Sequence, residues 1–430
     1  MNSNFKLIFI VIFIGAAVFG LLVFSGTIEI GSGSKTASVT GTVSMWGTVP
    51  TQTMKAMIDD FNTANRTFTV NYIQKDASTF DQDLLLAQAE GRGPDMFLIT
   101  DDLAFSYAKR IYKIPYTTYP VANYKSTFAQ AGEVFLSGEG ILALPLSVDP
   151  LLMYYNRSIL TTNNIIFPPA TWEDLSAVTP KLLSKDATSQ VTNSSVALGQ
   201  YSNILHAKDI LAALFMQTGN PIVGISQGIY SSFLDKNKDQ YKLDGVLDFY
   251  TSFSDPVKTL YSWNKSLPMD RDFFSAEKSA FYFGYASELN NLINKNPNQN
   301  LGMAPLPQFK NSKFKSTKAR VTGVAIAAAT KKLGTAYTAA SLMATTNFAK
   351  SFASAVNVAP ARLDLLADLP GDAYSPIFYT SSLYAKSWLD PSPKDTDNIF
   401  RSMVDSFNNG YESSKGSINT ASGRLDLLLR

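Results

Sequence analysis

From Ser38 onward the chain alternates short β-type stretches with helical ones, and this alternation restricts the fold more than any other feature. Ser38 to Trp46 carries the β-branched content of a strand, and Thr51 to Asn65 then places Met54, Met57, Ile58 and Phe61 at helical spacing. Thr67 to Ile73 alternates as a second strand, and Phe80 to Glu90 follows as a helix with Leu84, Leu85 and Ala89 expected inward. Gly91 and Gly93 stop that helix, and Pro94 leads into a third strand, Asp95 to Thr100. Such a succession predicts an α/β domain on a mainly parallel sheet, with ligands held beyond the carboxyl ends of the strands. Trp46-Gly47-Thr48 and Thr100-Asp101-Asp102 therefore form a candidate rim.

A middle block runs from Leu144 to about Leu301. It opens on the apolar stretch Leu151 to Asn156, turns at Pro168-Pro169, and starts a helix at Thr171-Trp172-Glu173-Asp174. Helical patterns follow at Ile210 to Thr218 and Asp244 to Ser262, and an aromatic cluster lies within Glu277 to Ile293. Strand signals return at Gly302 to Leu306 and Val321 to Ala329, then an alanine-rich helix from Thr335 to Thr345. Leu383 to Arg430 reads as helical, with Trp388 near its start.

At 430 residues the chain exceeds one ordinary core, so two packed lobes are expected. The formal net charge is only +2, and the densest cationic run, Lys310 to Arg320, reads as a solvated loop; nucleic acid is not an expected partner. There are no cysteines, which removes disulfides, thiolate metal sites and a Cys nucleophile. His206 is the sole histidine, so a His-rich metal site is impossible and a Ser-His-Asp relay would depend on that residue. No cofactor or metal is expected, and His206 itself reads as structural.

Residues 1–25 hold an unbroken apolar run, Leu7 to Phe24, preceded by Lys6. As a helix it would span roughly 27 Å, close to the hydrocarbon thickness of a bilayer. The cation before it keeps the amino terminus inside and the remainder outside. Val23-Phe24-Ser25 is a poor cleavage site and no lipid-accepting cysteine follows, so an uncleaved membrane anchor is favoured over a cleaved signal. Residues 26–38, rich in Gly, Ser and Thr, read as a flexible tether.

An ordered set of motifs resembles the extracellular solute-binding proteins of bacterial ABC importers, the group similar to maltose-binding protein. It begins with Trp46-Gly47-Thr48 and a helix ending in Asp60-Phe61-Asn62, then Ala89-Glu90-Gly91-Arg92-Gly93-Pro94-Asp95-Met96-Phe97. Leu144-Pro145-Leu146-Ser147-Val148-Asp149 with Met153-Tyr154-Tyr155-Asn156 is similar to that group's first crossing between lobes. Thr171-Trp172-Glu173-Asp174-Leu175, Lys278 to Tyr285, Gly302 to Pro307 and Gly323 to Ile326 continue the series, although the glycine expected just before Lys278 is replaced. The resemblance implies a two-lobed, type II periplasmic-binding-protein-like α/β fold whose discontinuous lobes share a multi-strand hinge. It places residues 39–143 and 304–352 in the first lobe, and 144–303 and 353–430 in the second. It further implies a monomeric receptor that closes on a small solute and serves membrane-embedded ABC permease subunits.

Ligand-binding candidates follow from the same comparison. Asp149 stands where sugar-binding relatives present a carboxylate, able to accept charge-assisted hydrogen bonds from hydroxyls. Asp101 and Asp102 end a buried strand. Tyr285 and Trp388 match stacking aromatics, and aromatic faces suit the C–H faces of sugars. Trp46 could reach the cleft or pack in the core, and Thr322 could offer a hydroxyl on the resemblance alone. Trp172 reads as packing at a helix start, and of Tyr154 and Tyr155 at most one faces the cleft. Two other readings compete: an extracellular glycosidase pairing Asp149 with Asp101 or Asp102, and a sensing ectodomain uncoupled from transport.

Overall fold

The computed structural model describes residues 39–226, 228–236, 243–310 and 312–430. The anchor and tether readings, residues 1–25 and 26–38, lie outside these. Among the described residues no helix is long and apolar enough to cross a membrane.

Eleven strands form one mixed sheet. They are β1 (Gly41–Gly47), β2 (Phe68–Gln74), β3 (Met96–Thr100), β4 (Leu144–Asn156), β5 (Ser184–Lys185), β6 (Val191–Val196), β7 (Ser279–Tyr285), β8 (Leu301–Pro305), β9 (Thr317–Ile326), β10 (Ala359–Pro360) and β11 (Ala385–Lys386). The path runs β2-β1-β3-β9-β4-β7-β6-β5, with β8 and β10 also pairing β4 and β11 pairing β9. As alternation predicts, β1 pairs in parallel with β2 and β3. The long strand β4 departs from that pattern, because β9, β7, β8 and β10 all pair with it antiparallel.

β4 joins two hydrophobic cores. Its early residues Leu144, Leu146 and Val148 belong to a first core with Val43, Met54 and Phe97. Beyond Pro150 its side chains alternate between the cores: Leu152 and Tyr154 pack in the first, Leu151 and Met153 in the second. That is the period-2 geometry of a strand buried on both faces. The second core takes Trp172, Leu211, Phe253 and Trp263, and also Phe400 and Leu425 from the last two helices. Gln217 ties this core to the returning chain: its amide accepts from Trp172 Nε1 at 2.6 Å and donates to the carbonyls of Pro307 and Ser316, each at 2.9 Å.

Several boundaries differ from the sequence reading for identifiable reasons. In the helix Phe80–Ala89 only Phe80 and Leu84 are buried, whereas Leu85 is 43% exposed and Ala89 is also exposed. Two adjacent leucines cannot both face one core on a 3.6-residue period. The helical pattern from Asp244 to Ser262 yields only Leu243–Thr251, since Pro256 disfavours helical backbone before it. The carboxyl-terminal region forms two helices, Pro393–Asn408 and Ser414–Leu428, and Trp388 precedes both. The run Lys310 to Arg320 is not a solvated loop throughout, because Thr317 onward is strand and Lys318 is buried.

Candidate functional site

The site is built where β9 leaves β4. In register, Arg320 faces Asp149 and Thr322 faces Ser147, and Thr322 also pairs with Thr100 of β3. Alternation along β9 sends Lys318, Arg320 and Thr322 to one side of the strand. β9 therefore lies between the carboxyl end of β3 and the middle of β4, pairing with one on each edge.

Tyr285, the last residue of β7, is fully buried, and the Arg320 guanidinium lies 3.9 Å from its ring centroid. His206 meets the same ring edge-on, with centroids 5.0 Å apart and planes at 87°. Its Nε2 lies 2.6 Å from Glu288 Oε1, and Glu288 also accepts from the Tyr285 backbone N–H and the Tyr282 hydroxyl. Arg320 Nη2 stands 3.7 Å from Asp209 Oδ2. Among the described residues the buried Tyr285 hydroxyl has no hydrogen-bond partner.

Asp149 accepts from Ser287, from its N–H at 3.1 Å and its hydroxyl at 2.6 Å. Burial pushes its carboxyl up to about 6, against the pull of Ser287 and Arg320. Burial also works to raise Asp209, but the surrounding cations, led by Lys318 and Arg320, outweigh it and hold that carboxylate below its usual range. Tyr285 is driven well above the ordinary phenol range by burial, with Asp209 adding to the effect.

The other candidates fall around this centre. Asp101 is a clamp: it accepts from Lys318 Nζ at 2.8 Å, the Val321 N–H at 2.9 Å and the Ser387 hydroxyl. Asp102 accepts from the Thr100 hydroxyl, and burial followed by the Asp101 charge raises it. Trp388, buried beside Phe400, lines a cavity of about 330 Å³ with Met216, Asn220, Tyr230 and Lys386. A separate cavity of about 330 Å³ is lined by Tyr201, His206, Asp209, Arg320 and Arg401. Trp46 sits away from both, 8% exposed in the first core with the Lys75 ammonium 3.9 Å from its ring. Sequence reasoning passed over Arg320, Asp209, Tyr201 and Arg401. For Arg320 the signal was present, because alternation places it on the same strand face as Thr322.

Both cavities reach the lower size range of small-molecule sites, and the one at Arg320 sets the rings of Tyr201 and His206 beside charged donors and acceptors. The sequence from residue 56 to residue 376 matches the profile of the bacterial extracellular solute-binding proteins. The chain belongs to that family. Among curated protein sequences none matches it. A solved cyclo/maltodextrin-binding protein complexed with maltotetraose is similar at TM-score 0.73 and 14% identity, covering 92% of this chain and 98% of that one. The cyclic α-maltosyl-1,6-maltose binding protein of Arthrobacter globiformis is similar at TM-score 0.72 and 13% identity, covering 90% and 98%. MalE of Listeria monocytogenes in complex with maltose gives TM-score 0.70 and 17% identity, again covering 90% and 98%. This solute-binding protein thus has the two-lobed, periplasmic-binding-protein-like α/β fold.

Proposed function

We propose that this solute-binding protein captures a saccharide outside the cytoplasmic membrane by closing its lobes, and delivers it to an ABC permease. The observation that carries the reading is the cavity at Arg320, where Tyr201 and His206 line the wall beside Asp209 and buried Tyr285 lies beneath the Arg320 guanidinium. Aromatic surface with charged hydrogen-bonding groups suits the apolar C–H faces and hydroxyl edges of a sugar. The saccharides in the similar structures point the same way. Asp149, Tyr285 and Thr322 belong to the proposed site, with Asp102 and Trp388 at its margins. Asp101 acts in the proposal by holding Lys318 rather than by touching ligand, and Trp46 supports the first lobe.

In this reading the lobes are 39–143 with 304–352, and 144–303 with the carboxyl-terminal part. The first two passages start on β4 and on β8, which pairs with β4. The third spans 353–388, from Ala353 through β10 to Trp388. Residues 1–25 would anchor the protein at the outer face, with 26–38 as tether, and the protein acts as a monomer. A glycosidase is disfavoured, because both oxygens of Asp149, the member common to either carboxylate pair, already accept hydrogen bonds from Ser287, and both Asp101 oxygens are likewise occupied.

The test is thermal unfolding of the full-length chain in detergent with neutral and acidic oligosaccharides, amino acids, dipeptides and polyamines. A bound saccharide at about 100 times its Kd raises stability by roughly 2.7 kcal/mol. A midpoint raised by at least one oligosaccharide is expected. A shift given only by amino acids, peptides or polyamines, or by nothing in the panel, overturns the reading.

A further inference from the structure

Two arginines line the same cavity, and each is backed by a buried tyrosine. Arg320 lies 3.9 Å from the ring centroid of Tyr285, and Arg401 lies 5.4 Å from that of Tyr201. The tyrosine rings are 0% and 4% exposed, whereas the arginine side chains are 49% and 47% exposed. The rings therefore fix the guanidinium planes while leaving their N–H edges open.

Those edges are largely unspent. The Arg320 guanidinium donates no hydrogen bond to any described residue, and its nearest carboxylate oxygen, on Asp209, is 3.7 Å away. Arg401 donates through Nη2 to Asp397 at 3.1 Å, and Asp397 also accepts from the Tyr201 hydroxyl at 2.7 Å. Lys208, the third cation of the wall, is fully occupied by Asp390, the Pro393 carbonyl and the Thr396 hydroxyl. A guanidinium carries five donors in a planar fork that matches a carboxylate. Stacked on a ring, it loses little further freedom when it binds.

We infer that the solute is an acidic saccharide whose carboxylate is received by Arg320, with Arg401 donating to the same or an adjacent sugar residue. This inference rests on the saccharide reading above and narrows it. Asp209 and Asp397 flank the two forks, and that local negative charge favours a monoanionic carboxylate over a doubly charged phosphate. The carboxylates also explain how two cations persist in one cavity before ligand arrives. They orient the forks without consuming them.

The experiment compares trigalacturonate, its methyl ester and maltotriose by calorimetric titration of the full-length chain in detergent. The ester keeps the shape of the acid and removes its charge. Trigalacturonate is expected to bind at least 10-fold more tightly than its ester, and to lose more affinity than the ester between 50 and 500 mM salt. Arg320→Gln is expected to erase the preference for the acid, and Arg320→Lys to restore it in part, because charge returns without the fork. The comparison of acid with ester on the unaltered protein does not depend on any variant folding. Equal binding of acid and ester, or binding of maltotriose with neither galacturonide bound, overturns this inference and leaves the saccharide reading standing. Binding of none of the three overturns the inference, and the wider panel then decides the reading beneath it.

Discussion

Lys318 Nζ lies 2.8 Å from Asp101 Oδ2, and the two side chains are only 5% and 3% exposed. This buried pair joins β9 to the end of β3, and the Ser387 hydroxyl adds the segment that leads to Trp388. A buried ion pair is weak evidence of net stabilisation, but breaking one leaves an uncompensated charge. Lys318→Met is therefore expected to cost about 3–5 kcal/mol. The paired replacement Lys318→Met with Asp101→Asn should recover most of that loss, because the neutral amide still accepts from the Val321 N–H and can bond the Ser387 hydroxyl. Urea denaturation of the three proteins measures both, and a single variant within about 1 kcal/mol of the parent would show that the pair is not desolvated as described.

The first core was legible because its elements obey simple periods. Met54, Met57, Ile58 and Phe61 all proved buried on one helix face, and β1 to β3 pair in parallel as alternation required. The site was legible only in pieces. Asp149 and Tyr285 came from motifs, and both meet Arg320. Arg320 itself was hidden by the lysines before it, since a charge run gives no sign of where solvent ends and strand begins. His206 read as structural, and its contact with Glu288 agrees, yet it also walls the cavity. No local pattern announces a contact between residues 82 positions apart.

Gln217 offers a second test of how the cores are joined. It satisfies the Trp172 indole and two backbone carbonyls at once, all of them buried. Gln217→Leu keeps the approximate volume but takes the partner from the Trp172 indole N–H and the Ser316 carbonyl, while the Pro307 carbonyl keeps a 3.3 Å bond from Gln308 Nε2. Unsatisfied buried groups cost about 1–3 kcal/mol each, with partial relief as the chain relaxes, so a loss of about 3 kcal/mol is expected. The denaturation midpoint should fall while the slope is unchanged. An unchanged midpoint would mean that water reaches these groups.

Tyr285→Phe should act in the opposite direction. The hydroxyl is buried without a partner among the described residues, so its removal relieves a desolvation cost while the ring remains beneath Arg320. The ligand-free protein is expected to gain about 1 kcal/mol. If the hydroxyl serves the ligand, the same variant will bind more weakly, and stability and affinity will move apart. Loss of stability would indicate a hydrogen bond that the structure does not contain.

Stability should also depend on pH with a definite sign. Burial raises Asp149 and Asp270 to about 6 in the folded protein, above the unfolded value of about 3.9. The folded state thus takes up protons more readily, and stability rises as pH falls from above 6 toward 4. Asp209 and Glu288 are held low in spite of their burial, Asp209 by neighbouring cations and Glu288 by the His206 hydrogen bond, so their contribution is lost as pH falls further. The thermal midpoint of the ligand-free protein is therefore expected to peak near pH 5, about one unit below the two raised carboxyls. Asp149→Asn with Asp270→Asn should flatten the rise between pH 7.5 and 5.5 while leaving the acid limb in place, since an amide can still accept from Ser287, Leu205 and Arg271. A midpoint that falls over that interval in the parent, or a rise that survives the double replacement, would show that these two carboxyls do not carry it.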